Sequence, residues 1–259
     1  MAADRASEVS LYKEIDQASL SLDSRFNFHC HAGLSCFNQC CRTPTVILSP
    51  YDILRLQQGL GLTSGELLAR YTRLEIEDWS RLPLVFIDPY RSPEAGCPFL
   101  GLQGCTVYPY RPAACRFFPI TMGSQATGGG IVDYYFCRKL DYCQGFATDA
   151  EWTVASWKSN QGLDAYEQGR QGWLEIFLKK GVMGPIPGEA QAIDLFAALA
   201  YDLEQFRRYL SGPEILRADA FKGQDLEEIK KDDLALLHFS YRYFHLLLLG
   251  EDAGTSPRP

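Results

Sequence analysis

No cysteine follows Cys143, although nine stand between Cys30 and that point. No Cys-x2-Cys pair occurs among them, which excludes the common zinc-finger knuckle and the ferredoxin run. No apolar stretch approaches the roughly 18 residues that a membrane span needs. The strongest, His245–Gly250, is far shorter. The opening MAADRASEVSLYKEIDQ carries charges and no apolar core, so no secretory leader is expected. An excess of basic residues is also missing. Lys and Arg number 25 against 32 Asp and Glu, a net charge of -7. That balance argues against a general nucleic-acid binder, whose affinity rests on neutralising phosphates. The one glycine run, Gly128-Gly129-Gly130, lacks the strand–Gly-x-Gly-x-x-Gly–helix frame of a phosphate cradle and reads as a connector. These absences point to a cytoplasmic chain with no membrane partner.

What is present is a concentration of thiols. The first group reads Cys30-x5-Cys36-x3-Cys40-Cys41, the second Cys97-x7-Cys105-x9-Cys115, the third Cys137-x5-Cys143. A chain of 259 residues, 46% of them apolar, can bury a core without cross-links, and an odd cysteine count leaves one thiol over. Disulfide scaffolds belong mostly to small secreted chains. In a reducing compartment the remaining roles are metal ligation and catalysis. Soft thiolates select zinc, copper(I) or iron–sulfur clusters, and a tetrahedral zinc or a cubane takes four. Nine cysteines suffice for two such sites with one over, or for one site with bystanders. In a helical turn Cys36 and Cys40 share a face and Cys41 points away; in an extended segment Cys40 and Cys41 point apart. The doublet therefore fits two neighbouring centres, or one centre with the other thiol buried as a small hydrophobe. His29 and His31 flank Cys30 and read as nitrogen ligands or as surface histidines. His238 and His245 fall among apolar residues of the last helix and read as core.

The fold expected is α+β and mostly helical: an arm over 1–25, an irregular cysteine-rich domain with a small β-hairpin over 26–146, a helical region over 147–250, and a disordered tail over 251–259. Ser49-Pro50 starts a helix, with Gly59 as its stop, and Thr63-x2-Glu66 starts another through a capping box. Leu84–Asp88 reads as a buried strand. The β-prone runs Arg116–Met122 and Ile131–Phe136 predict a hairpin centred on Ala126, with Cys115 opposite Cys137 at its open end. Further on, Thr148-x2-Glu151 repeats the capping-box spacing. Three- and four-residue apolar intervals then predict helices over about 189–210 and 225–249.

Several of these residues also form a longer pattern. Cys40-Cys41, then Leu48-Ser-Pro-Tyr-Asp-Ile, then Cys97-Pro-Phe-Leu, then Cys105-Thr-Val-Tyr-Pro-Tyr-Arg-Pro-Ala-Ala-Cys-Arg-Phe-Phe-Pro119 resembles the YkgJ-type cysteine-cluster family. Its members are described as zinc- or iron-chelating domains. The resemblance covers about Phe28 to Cys137. It implies metal binding by Cys36, Cys40, Cys41, Cys97, Cys105, Cys115 and Cys137, with Cys30 as the eighth ligand. The family's first group is tighter than the gaps of five and three found here, and Cys143 has no counterpart, which makes it the leftover thiol. The resemblance also reaches flagellin lysine-N-methylases, which use S-adenosylmethionine. The radical signature Cys-x3-Cys-x2-Cys is only half met, by Cys36-x3-Cys40. Arg111 and Arg116, inside the motif, read as hydrogen-bond donors to cluster sulfurs or to an anionic substrate, or as a lock on the loop. The leading expectation is a protein with one or two thiolate centres, iron–sulfur (4Fe-4S) ahead of zinc. The alternatives are an enzyme modifying a protein substrate, and a metal-stabilised adaptor for a protein partner.

Overall fold

A computed structural model describes residues 19–92, 96–127, 130–186, 188–212, 221 and 223–250. The expected tail and most of the expected arm lie outside these residues. The architecture is α+β and mostly helical, with small two- and three-stranded sheets. Among the described residues no helix is long and apolar enough to cross a membrane.

The first part is built from short pieces. Strand β1 (Arg25–Asn27) leads into the first cysteine loop, and β2 (Ile47–Leu48) leads out of it. Helix α1 (Pro50–Leu60) starts where the sequence places it: the Ser49 hydroxyl accepts the Asp52 N–H, and Asp52 bonds back to the Ser49 N–H. Its stop is Gly61, with φ 65°, rather than Gly59. Gly59 stays in the last turn, where a Cβ would lie 2.4 Å from the Tyr110 ring. Close packing, not chain reversal, calls for glycine there. Helix α2 (Ser64–Tyr71) carries the expected Thr63–Glu66 box. Strands β3 (Thr72–Ile76) and β4 (Pro83–Ile87) complete an antiparallel sheet in the order β2-β4-β3, and β4 is the buried apolar strand read from its composition.

The second part is a stack of helices. After β9 (Glu151–Thr153) come α4 (Val154–Asn160) and the long α5 (Leu163–Met183). Thr153 caps α4 through Ser156, so the Thr148–Glu151 spacing marks the approach to a strand and not a helix start. The predicted helix over 189–210 is broken into α6 (Ala190–Leu199) and α7 (Leu203–Tyr209), because Asp202 caps a new helix through the Gln205 N–H. Asp232 similarly divides the last helix into α8 (Leu226–Ile229) and α9 (Asp233–Leu249).

Phe196, Phe206, Phe239 and Phe244 pack ring against ring between α6, α7 and α9. The core is continuous from Phe28 to Leu249. Helix α5 joins the parts: Gly169 lets the Tyr51 ring of α1 lie where a Cβ would be 2.3 Å away, and the Tyr241 hydroxyl of α9 donates to the Gly169 carbonyl at 2.9 Å.

Candidate metal centre

Backbone hydrogen bonds bring separate cysteine loops together. Strand β1 pairs with β9 through Phe26 and Trp152, and beyond it the Phe28 N–H donates to the Ala150 carbonyl at 3.0 Å. The His29 N–H then donates to the Gly145 carbonyl at 2.8 Å. This fastens the start of the Cys30 loop to the segment just after Cys143. The Phe28 ring sits edge-on among Phe118, Phe146 and Trp157, and Gly145 leaves room for it. Across the same junction the Gln144 N–H donates to Cys36 Sγ at 3.2 Å. A chain of tight turns then carries Cys36 to the doublet. Asn38 takes the left-handed conformation (φ 66°), and a 3-10 turn spans Gln39–Cys41.

A second set of bonds leads from Cys41. Its carbonyl accepts the Cys97 N–H at 2.7 Å. Strands β5 (Leu100–Gly101) and β6 (Gly104–Cys105) form a small hairpin with Leu100 opposite Cys105, which folds Cys105 back toward Cys97. Cys115 follows on the short helix α3 (Ala113–Phe117). The start of α3 is held from α1, where the buried Asp52 carboxylate accepts the Ala113 N–H at 2.7 Å.

Arg111 lies over the Tyr108 ring at 3.7 Å and donates to the Tyr108 carbonyl at 2.8 Å and to the Gln161 side chain. Its charge also reaches Cys105 and Cys115. Arg116 donates to the carbonyls of Arg111 (3.0 Å), Gln161 (2.7 Å) and Pro109, and stacks on Tyr166. Arg116 thus ties the motif loop to the α4–α5 junction.

The hairpin lies elsewhere in register. Strands β7 (Ile120–Thr127) and β8 (Gly130–Cys137) pair with Thr127 opposite Gly130, so Cys137 faces Ile120 and not Cys115. The difference arises because the hairpin reverses between Thr127 and Gly130 and not at Ala126, which moves every pairing; Cys115 itself lies in the helical turn Ala113–Phe117, outside β7. Cys137 is 6% exposed. Cys143, set apart by the sequence pattern, sits beside Cys36 in hydrogen-bond contact.

The thiols sense one another. Burial first, then Cys40, Cys143 and Cys36, push Cys30 up to about 11. Burial, then Cys105 and Cys40, push Cys97 to about 11 against the Phe99 N–H that donates to its sulfur. Burial, then Cys97, Cys105 and Cys40, raise Cys115 further still. In the doublet, the Cys41 thiol hydrogen-bonds Cys40 and, with Arg138, lowers Cys40 to about 7, while Cys41 is raised. Cys115 is exposed. Mutual repulsion among gathered thiolates is what a divalent cation or a cluster would relieve.

The donor chemistry fits a thiolate-bound metal. Backbone N–H groups already aim at Cys36 (from Gln144), Cys97 (Phe99), Cys105 (Val107) and Cys143 (Gly145). Such donors stabilise the anionic sulfur and orient it. Among the described residues no three His, Cys, Asp or Glu side chains are close enough together to hold a metal ion as they stand. The His29 and His31 rings lie against each other, 4.8 Å between centroids, on either side of Cys30. His31 Nδ1 accepts the Gly33 N–H at 3.2 Å, His245 is buried near Glu175, and His238 is on the surface of α9. Sequence reasoning missed the N–H donors and Arg138, and only the i+2 spacing of Phe99, Val107 and Gly145 after a cysteine could have signalled them.

A cavity of about 300 Å³ lies between α3, β7 and α5, bordered by Asp52, Arg138, Arg170 and Trp173. A larger hollow of about 380 Å³ lies away from the thiols, between α2 and α6.

Comparison with known proteins agrees with this location. Residues 29–144 match the family model CxxCxxCC, described as "Putative zinc- or iron-chelating domain", the same cysteine-cluster family that the motif resembles. No curated protein and no solved structure matches the chain.

Proposed function

We propose that this is a cytoplasmic protein whose cysteine loops hold thiolate-ligated metal centres, with 4Fe-4S clusters ahead of zinc. Metal chelation as such is what the family description of residues 29–144 carries. The observation behind the finer reading is the set of four backbone N–H groups directed at cysteine sulfurs drawn from three separate loops. Such convergence has no use for thiols that only fill space. Clusters are favoured over zinc because the cysteines are widely spaced along the chain, which suits a bulky cubane better than a compact finger. Either group, once bound, cross-links the loops; a cluster also supplies one-electron redox capacity.

Anaerobic purification followed by iron, labile sulfide and zinc analysis tests the reading. A brown protein with visible absorption and matched iron and sulfide is expected. A colourless protein with stoichiometric zinc overturns the cluster assignment, and a chain without metal overturns the whole reading. The modifying-enzyme alternative gains one point from the cavity between Arg138 and Arg170, which lies at the small end of ligand pockets. Calorimetric titration with S-adenosylmethionine decides it, and no detectable heat excludes the methylase version.

A further inference from the structure

We infer that the cavity between α3, β7 and α5 binds a small carboxylate with an apolar body, its acid group held by Arg170 with Arg138 beside it. The inference stands apart from the metal-binding reading, because among the described residues no cysteine lines this cavity.

Arg170 carries the argument. It follows Gly169 on α5 and borders the cavity. Its Nε is buried and has no hydrogen-bond partner among the described residues. One Nη donates to the Met122 sulfur at 3.1 Å, a weak acceptor, and the guanidinium carbon stands 5.8 Å from the centre of the Phe117 ring. A guanidinium keeps its charge, and its Nε–H and Nη–H edge matches the two oxygens of a carboxylate. Leaving a buried charged donor unmet is costly, and a ligand carboxylate would meet it. The one acidic side chain in the wall among the described residues, Asp52, is committed elsewhere. Its Oδ1 accepts the Ala113 N–H at 2.7 Å, and its Oδ2 accepts the Ser49 N–H at 2.8 Å and the Ser49 hydroxyl at 2.6 Å. Asp52 thus ties α1 to α3. Arg138 borders the same cavity, and its backbone N–H donates to the Pro119 carbonyl at 2.7 Å, which fixes it beside the start of β7.

The walls choose the rest of the ligand. Phe117, Phe118, Ile120, Met122 and Trp173 surround the arginines with apolar surface. The Trp173 indole N–H is taken by the Tyr201 hydroxyl at 3.0 Å, so this ring offers packing and no further donor. The Asp52 oxygens add acceptors to the wall where a phosphate needs donors, which favours a carboxylate. A volume of about 300 Å³ suits a small ligand. The hollow between α2 and α6 is larger and also holds an arginine, Arg73, but that guanidinium is paired with Glu75 and lies over the Phe86 ring. Its charge is met within the chain.

Calorimetric titration of the full chain, as purified, with phenylacetate tests the inference. Phenylacetate should bind, and its uncharged analogue phenylacetamide should bind about tenfold more weakly or worse. Arg170→Gln should weaken phenylacetate by about tenfold or more and leave phenylacetamide unchanged. Arg170→Lys, which keeps the charge and loses the fork, should fall between. No binding of phenylacetate, equal binding of acid and amide, or unchanged binding in Arg170→Gln overturns the inference. Inorganic phosphate binding more tightly than phenylacetate overturns the carboxylate class. Because a change on α5 can disturb folding, a second measurement uses the unaltered chain. Hydrogen exchange with and without phenylacetate should slow over 113–122. Slowing confined to 65–74 and 197–205 places the ligand in the other hollow and sinks the assignment, as does no slowing anywhere. Each of these failures leaves the metal-binding reading standing, since metal analysis alone decides that.

Discussion

The loops that carry the cysteines and the helices that follow them are held together by different means. In the helical part, phenylalanine rings from α6, α7 and α9 meet in a closed cluster, and Phe196, Phe206 and Phe244 are inaccessible to solvent. Each such side chain contributes about 1.5–3 kcal/mol by burial. The stretch from Cys30 to Cys41, by contrast, contains one 3-10 turn and no strand or α-helix, and Cys36 is its one buried residue. Strands β5 and β6 are two residues each. Backbone ordering costs roughly 1–2 kcal/mol per residue, and loops with so little apolar burial do not offset it alone. The difference teaches that the helical part can be ordered by packing, whereas the cysteine loops need a further source of order, which the proposed metal centres would supply.

Metal removal is the strongest way to break this comparison. Stripping the protein with a chelator under reducing conditions should free the amides of 30–41 and 97–105 to exchange about 100-fold faster or more, while the interior amides of α5 and α9 slow or quicken by less than about tenfold. Hydrogen exchange read by mass spectrometry checks both regions in one experiment. Uniform loss of protection would show that the two parts form one cooperative unit, as the continuous core and the Tyr51–Gly169 contact permit. The converse perturbation comes next in size. Phe206→Ala should destabilise the chain by about 3–5 kcal/mol, since the ring is fully buried and touches Phe239, Tyr243 and Phe244. Denaturant unfolding measures it, and metal per chain should stay at the wild-type value. A drop in metal content would mean that the loops depend on the helices.

The same contrast explains what was legible in the sequence. The N-cap at Ser49 and the capping box at Thr63 rest on groups within three residues of each other, so local reasoning found them. The breaks at Asp202 and Asp232 were missed because the apolar period runs on through both, and only the aspartates' capping bonds reveal the division. The thiols were visible as a set, but their neighbours were not. Cys143 reaches Cys36 across more than a hundred residues, through bonds between main-chain groups that carry no residue-type signal. The partner of Cys137 turned on where the hairpin reverses: a glycine-rich connector offers several places, and the pairing of Thr127 with Gly130 puts Cys137 opposite Ile120. Cys115 left the strand altogether, in a helical turn at Ala113–Phe117 held at its start by a carboxylate from α1, a contact that a β-prone run does not disclose.

The smallest effect sharpens the comparison from the helical side. Glu175 on α5 sits 2.9 Å from Lys179 and 3.7 Å from His245 of α9. His245 first, then Lys179, hold its carboxyl down to about 2, against an ordinary value of 4.5. A carboxylate with a depressed folded value adds stability above its unfolded value, and that stability is lost as pH falls from 4.5 through about 2. Glu175 is about a third exposed, so solvent screening keeps the contribution near ~1 kcal/mol or below. Glu175→Gln should therefore lower stability by up to ~1 kcal/mol near neutral pH, with the gap to wild type closing as pH falls through that window. Thiol protonation will release metal over acidic pH in both proteins, but it is common to the pair and cancels in their difference. Urea midpoints measured in parallel at several pH values check it. A gap that persists at the acid end would assign the effect to packing of the Glu175 stem between α5 and α9 and not to its charge.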